Sequence, residues 1–218
     1  MNNEVVLNGQ QRHWETMLME NKDMFGLEPS ESAIKAVETF RAKGISSILE
    51  LGGGQGRDTM YFAREGFRVH VLDYTDIGVR TIREKAEELG LSQQITVTKH
   101  DVRQPLPLEN ESVGGCYSHM LYCMAFTVEE LTFISNEVRR VLKPGGVNVF
   151  TARTTRDSHF GTGIHRGEGM YEVGGFIVHF LDQDVIGELS HGFEILDITE
   201  FEEGGLPRIL FIVTQEKI

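Results

Sequence analysis

Two hundred and eighteen residues, 40% hydrophobic and 25% charged, suffice for one well-filled α/β domain and leave little room for a second. Lys plus Arg at 21 against Asp plus Glu at 33 leaves a net charge of −12 with no segregated basic stretch, which argues against nucleic acid as a partner. The longest unbroken apolar stretch, Met120 to Phe126, falls far below the roughly 18 residues of a spanning helix, so no membrane partner is expected.

The polar opening, Met1 to Gln11, lacks the basic and apolar regions of a signal peptide. Residues 1–30 carry scattered apolar anchors, Trp14, Met17, Leu18, Met24 and Phe25, and read as a capping arm. Ala33, Ile34, Val37 and Phe40 recur at helical spacing, Gly44 stops the pattern, and Ile45 to Leu51 reads as a strand. After the glycine run 52–56, a helix is expected over Asp58 to Arg64, a strand over Phe67 to Leu72, a helix over Ile77 to Leu89 and a strand over Ile95 to Thr98. Val113 to His119 makes a fourth strand. Thr127 with Glu130 fits a capping box ahead of the apolar face Leu131, Ile134, Val138, Val141 and Leu142. Pro144-Gly145-Gly146 ends that helix and leads into a fifth strand, Val147 to Ala152.

Between Thr154 and His179 there are six glycines and no clear period, so residues 154–182 read as a long functional loop, a substrate lid. Asp182 can cap a short helix to Leu189, and Phe193 to Phe201 and Arg208 to Thr214 read as two last strands around Gly204-Gly205. Alternating strands and helices imply one domain with a doubly wound sheet covered on both faces, its ligand outside the carboxyl ends of the strands.

Those strand ends carry the informative residues. At Glu50-Leu51-Gly52-Gly53-Gly54-Gln55-Gly56 the missing β-carbons permit positive φ and let a ligand approach the main chain. Asp73 ends the second strand 21 residues after Gly52, where an acidic side chain can accept both hydroxyls of an adenosine ribose. Asp101 follows the third strand, where its carboxylate can accept from an adenine amino group while the Val102 N–H reaches a ring nitrogen. The spacing is G-x-G-x-G; a dinucleotide fingerprint would need glycine where Arg57 or Thr59 stands. Glu50 would repel a pyrophosphate and suits a ligand bearing an ammonium group, as S-adenosylmethionine (SAM) does.

Ile48-Leu-Glu-Leu-Gly-Gly-Gly-Gln-Gly56, Val71-Leu-Asp73, His100-Asp101-Val102 and Leu142-Lys-Pro-Gly-Gly146 resemble, in order, the motifs of class I SAM-dependent methyltransferases. The resemblance implies a Rossmann-like sheet of about seven strands with an antiparallel last strand. It places Glu50, Gly52, Gly54 and Gly56 around the methionine end, Asp73 on the ribose, and Asp101 with Val102 on the adenine. The Gly-Gln-Gly-Arg-Asp stretch is also similar to small-molecule methyltransferases of the tellurite-resistance type.

Methyl transfer from a sulfonium is an in-line displacement whose catalysis rests largely on holding the acceptor against the methyl carbon. Tyr117-Ser118-His119 follows the fourth strand; Tyr117 and Ser118 are expected beside the cofactor, and His119 is the first candidate base or else a hydrogen-bonded packing residue. Tyr122 is either an acceptor-pocket wall or core. The lid segment presents Arg166 to an anionic substrate and His165 or His179 to its proton, with Tyr171 beside them, or it is a solvated loop. Trp14 closes over the cofactor or simply anchors the arm. No metal is expected: His159 and His165 are six apart, outside the helical His-x-x-x-His pattern.

No tyrosine is followed four residues later by lysine, which removes the short-chain dehydrogenases, and no Asp-Pro-Pro-Tyr element points to nucleic-acid base methylation. A small-molecule acceptor is left. Cys116 and Cys123, seven apart, are too few for a disulfide framework and read as buried thiols of a cytoplasmic protein. The rival from another class is a module that binds SAM or its product without turnover, as a sensor or regulatory subunit.

Overall fold

A computed structural model describes residues 3–204 and 208–218. The elements run α1 (Asn3–Asn8), α2 (Gln10–Glu20), α3 (Glu31–Ala42), β1 (Ser47–Leu51), α4 (Arg57–Arg64), β2 (Arg68–Asp73), α5 (Asp76–Glu88), β3 (Ile95–Lys99), β4 (Val113–Ser118), α6 (Val128–Val141) and β5 (Leu142–Arg153). Then follow β6 (Ile164–Gly167), β7 (Met170–Val173), β8 (Phe176–His179), α7 (Gln183–Leu189), β9 (Phe193–Glu203) and β10 (Arg208–Lys217). Of the glycine pair expected at the last turn, Gly205 lies outside the described residues.

Local chemistry sets the helix starts. Ser30, Thr75 and Asp182 accept from the backbone N–H of Ala33, Gly78 and Val185, and Thr127 and Glu130 form the reciprocal capping box. The seven long strands form one sheet in the order β3-β2-β1-β4-β5-β10-β9, with β10 antiparallel to both neighbours. The winding reverses at β1, between β2 and β4, so the crevice at its carboxyl end is where such a sheet takes a ligand.

Alternation along each strand splits the core in two. Ile48, Val69, Val71, Tyr117 and Val149 pack with Phe40 of α3, Phe62 of α4 and Ile82 of α5. Leu49, Leu51, Cys116 and Phe150 pack against Leu131, Ile134 and Val138 of α6 and Leu189 of α7. Full burial of each such aliphatic side chain contributes about 1.5–3 kcal/mol.

Two regions differ from the sequence reading. The fifth strand starts earlier, because Leu142 already pairs with Val113; the Lys-Pro-Gly-Gly turn sits inside β5 as an irregularity before Gly115 meets Val147. The lid segment is not a loop throughout: β6, β7 and β8 form a separate antiparallel sheet of four-residue strands. Its turns use left-handed backbone at Glu168 and at Gly174-Gly175, and strands so short show no readable period.

Replacing Thr127 by Ala removes the hydroxyl arm of the capping box and should lower unfolding free energy by about 1 kcal/mol, read from urea midpoints with unchanged slope.

Candidate active site

A cleft of about 1040 Å³ opens at the carboxyl ends of β1 to β4. Its walls include Glu50, Gly52, Gly53 and Gly54 after β1, Asp73, Tyr74 and Thr75 after β2, His100, Asp101 and Val102 after β3, and His119, Met120 and Leu121 after β4. Trp14, Leu18 and Phe25 of the arm supply an apolar roof.

The glycine turn is built for close approach. Gly52 and Gly54 take φ of +73° and +56°, and a Cβ on Gly53 would lie 2.4 Å from Val71 Cγ2. Asp73 fastens the turn: its Oδ2 accepts from Gly54 N at 2.8 Å, and its Oδ1 from Thr75 N at 2.8 Å and Thr75 Oγ1 at 2.5 Å. Burial pushes this carboxyl up, against those bonds. A carboxylate has about four acceptor positions, so three are taken and one remains for a ribose hydroxyl, where two had been expected.

Glu50 is buried beneath the turn and accepts from Thr59 Oγ1 at 2.5 Å. Burial pushes its pKa up to about 8, opposed by the Thr59 bond. A buried carboxyl in the wall of a cleft, with Arg57 acting on it only at a distance and no ion pair among the described residues, fits the ammonium of a bound SAM. Asp101 is half-buried and gripped by the Arg103 fork, Nη2 to Oδ2 at 2.7 Å, which holds its pKa low against burial. That grip competes with an adenine amino group, while Val102 lines the cleft beside it. Gly56 does not line the cleft, contrary to expectation; it caps α4 in left-handed backbone, where a Cβ would meet Ile82.

The arm is tied to this cradle by a residue the sequence reading passed over. Gln55 Nε2 donates to the carbonyls of Leu18 and Asn21 at 3.1 and 2.8 Å, and its Oε1 accepts from Met24 N at 2.8 Å. Glu15 of α2 accepts from the N–H groups of Asp76 and Ile77, both at 2.8 Å, and Trp14 packs on Phe25 and Phe176.

At the other end of the cleft Met120 takes a left-handed backbone, φ 57°, held by its N–H to Thr151 Oγ1 at 2.7 Å. His119 beside it places Nδ1 3.0 Å from Ser32 Oγ and 3.1 Å from Thr151 Oγ1, with Nε2 3.0 Å from Glu203 Oε2. Next to it, burial pushes Asp58 up, but Arg57, His119 and Ser30 together hold it below the usual carboxylate range.

Several expected ligands lie elsewhere. Tyr117 is fully buried behind the cleft wall, its hydroxyl 2.8–3.0 Å from Ser32 Oγ, Ser30 Oγ and Asp58 Oδ2, and Ser118 is buried outside the cleft walls. Both still lie within β4, which ends at Ser118, so their side chains stand on the two faces of the sheet rather than beyond its edge. Tyr122 stacks on Phe150 in the core. In the lid segment, Arg166 pairs with Glu172, His165 Nε2 meets the Glu168 carbonyl at 3.0 Å, and Tyr171 packs on Phe160. His179 is buried and donates from Nδ1 to the Phe126 carbonyl at 2.7 Å. None of these four lines the cleft.

A sheet of this order, with its glycine turn and acidic strand ends on one cleft, defines the class I SAM-dependent methyltransferase fold. Residues 48–146 match the methyltransferase-domain family. Among curated proteins, the chain is 33% identical over 102 residues to the S-adenosyl-L-methionine-dependent Diels-Alderase iccD of Talaromyces variabilis, covering 46% of this chain and 34% of that protein. It is 35% identical over 103 residues to phosphoethanolamine N-methyltransferase 1 of Triticum aestivum, covering 46% and 20%. The chain thus spans about a third or less of the length of these two relatives. Among solved structures, 1,6-didemethyltoxoflavin-N1-methyltransferase of Burkholderia thailandensis superposes with a TM-score of 0.77 at 14% identity, over 100% of this chain and 91% of that one. TehB of Haemophilus influenzae gives 0.66 at 16% identity, over 84% and 62%. Residues 48–146 thus match a methyltransferase domain, and the chain as a whole has the fold of SAM-dependent methyltransferases.

Glu50→Gln should stabilise the ligand-free protein and weaken its affinity for S-adenosylhomocysteine. The unfolded chain ionises Glu50 near 4.5 and the folded one only at about 8, so between those values the wild type loses stability relative to the variant as pH rises. The difference grows by up to about 1.4 kcal/mol per pH unit, measurable by denaturant titration at pH 5, 6 and 7.

Proposed function

We propose that this chain transfers a methyl group from S-adenosylmethionine to a small-molecule acceptor by in-line displacement. The observation that carries the reading is the convergence of Glu50, the glycine turn, Asp73 and Val102 on one roofed cleft, with His119 and Met120 at its far end. When bound, SAM supplies an electrophilic methyl carbon on a sulfonium. Glu50 receives the ammonium, Asp73 a ribose hydroxyl, and Val102 packs on the adenine. Trp14, Leu18 and Phe25 exclude water from the reacting end, where orientation does most of the work.

The net charge of −12 supports a small acceptor over nucleic acid. Among the described residues no helix is long and apolar enough to cross a membrane, and the unpaired, buried Cys116 and Cys123 fit a reducing, cytoplasmic setting. A second reading, in which the nucleoside is held and not consumed, draws support from the likeness to a SAM-dependent Diels-Alderase. One assay separates the two readings: methyl-labelled SAM is incubated with pooled phenols, amines, thiols and inorganic anions, and label should move to one pool. Tight binding with label left entirely on SAM would favour the second reading.

Asp73→Asn should weaken S-adenosylhomocysteine binding by on the order of 1.5–3 kcal/mol, the worth of a charge-assisted hydrogen bond, as read by calorimetry. Unchanged affinity would remove Asp73 from the site.

A further inference from the structure

We propose that Glu203 is a positioning residue for His119, and that the pair selects an uncharged acceptor carrying its own proton on oxygen or nitrogen; this rests on the methyl-transfer reading above. Glu203, at the end of β9, stands behind the cleft wall at His119: its buried Oε2 lies 3.0 Å from His119 Nε2 outside the geometry of an aligned hydrogen bond. At this distance the carboxylate acts on the ring chiefly by charge, and, against burial, His119 in turn holds the Glu203 carboxyl below its usual range. Ser32 Oγ and Thr151 Oγ1 can each accept from Nδ1–H, which fixes the ring and leaves the lone pair on Nε2.

Charge accounting at this end of the cleft agrees. The charged groups around His119 are Glu203 from β9, Asp58 and Arg57 from α4, and Glu50 from β1. With Glu50 kept protonated near neutral pH by burial in the ligand-free protein, Asp58 and Glu203 face one guanidinium, which leaves one negative charge for an imidazolium to match. Arg57 is already shared among Asp58, Glu203 and the Phe25 carbonyl, so an anionic acceptor meets carboxylates with no uncommitted Lys or Arg in the cleft wall among the described residues. Trp14, Phe25, Met120 and Met124 suit an apolar or aromatic body. In the step, a lone pair on the acceptor oxygen or nitrogen bonds to the methyl carbon, the carbon–sulfur bond breaks with its pair going to sulfur, and the acceptor proton passes to His119 Nε2.

Histidine-labelled wild type, Glu203→Gln and Glu203→Asp are titrated by NMR with S-adenosylhomocysteine present. Removing the anionic partner disfavours the imidazolium, so the His119 midpoint should fall by about one pH unit in Glu203→Gln and largely recover in Glu203→Asp. His165, which meets only a carbonyl at Nε2, serves as the unmoved reference. A His119 midpoint indifferent to Glu203→Gln overturns the pairing, whatever the activity. In a second arm, methyl-labelled SAM is offered naphthol, benzimidazole, dithiothreitol and tellurite. Label should reach the first two, at least about tenfold slower in Glu203→Gln, with the pH–rate profile displaced in the direction of the NMR midpoint. Label confined to dithiothreitol or tellurite overturns the acceptor class. No label in any pool overturns the methyl-transfer reading and the acceptor class with it, while the titration alone decides the pairing.

Discussion

Asp73 is a carboxylate closed off from water, and it is tolerable there only because backbone and hydroxyl donors from two loops meet it. Its bond to Gly54 N joins the end of β2 to the turn after β1, across the point where the winding of the sheet reverses. A side chain at Gly53 would collide with Val71, so the turn can lie flat against the sheet only in this glycine-rich form. The cradle, the adjacent strand ends and the roof of the arm all take their positions from that join.

A second join lies below the sheet ends. Asp58 accepts from Ser30 N and Oγ, both at 2.8 Å, and from the Tyr117 hydroxyl, while Ser32 passes the network on to His119. The start of α3, the start of α4, the middle of β4 and the far wall of the cleft are thereby one polar unit. Low dielectric strengthens such a unit when every member is satisfied and makes each member costly to lose.

Much of this was readable before any coordinates. The alternation of strand and helix, the capping box at Thr127 and the cap at Asp182 depend on neighbours in sequence, and the structure follows them. The cleft residues Glu50, Gly52, Gly54, Asp73, Asp101, Val102 and His119 were legible because strand ends in such a sheet converge by topology alone. Tyr117 and Ser118 were misjudged by the location of a strand end, where one residue decides between core and cleft. Arg103, two residues on, takes up the Asp101 carboxylate, and no periodicity signals such a grip. Glu203 and Gln55 were unreadable for a different reason: one meets His119 across more than eighty residues of chain, and the other turns from a glycine run toward an arm whose path only the fold reveals.

The arm's attachment through Gln55 ties shelter to occupancy. Because Gln55 sits within the cradle and grips the backbone of the arm at Leu18, Asn21 and Met24, any disturbance of the glycine turn is felt at once by the roof. Three hydrogen bonds of one amide side chain thus hold the roof down, and uncovering the cleft requires that the arm's backbone be released from the glycine turn.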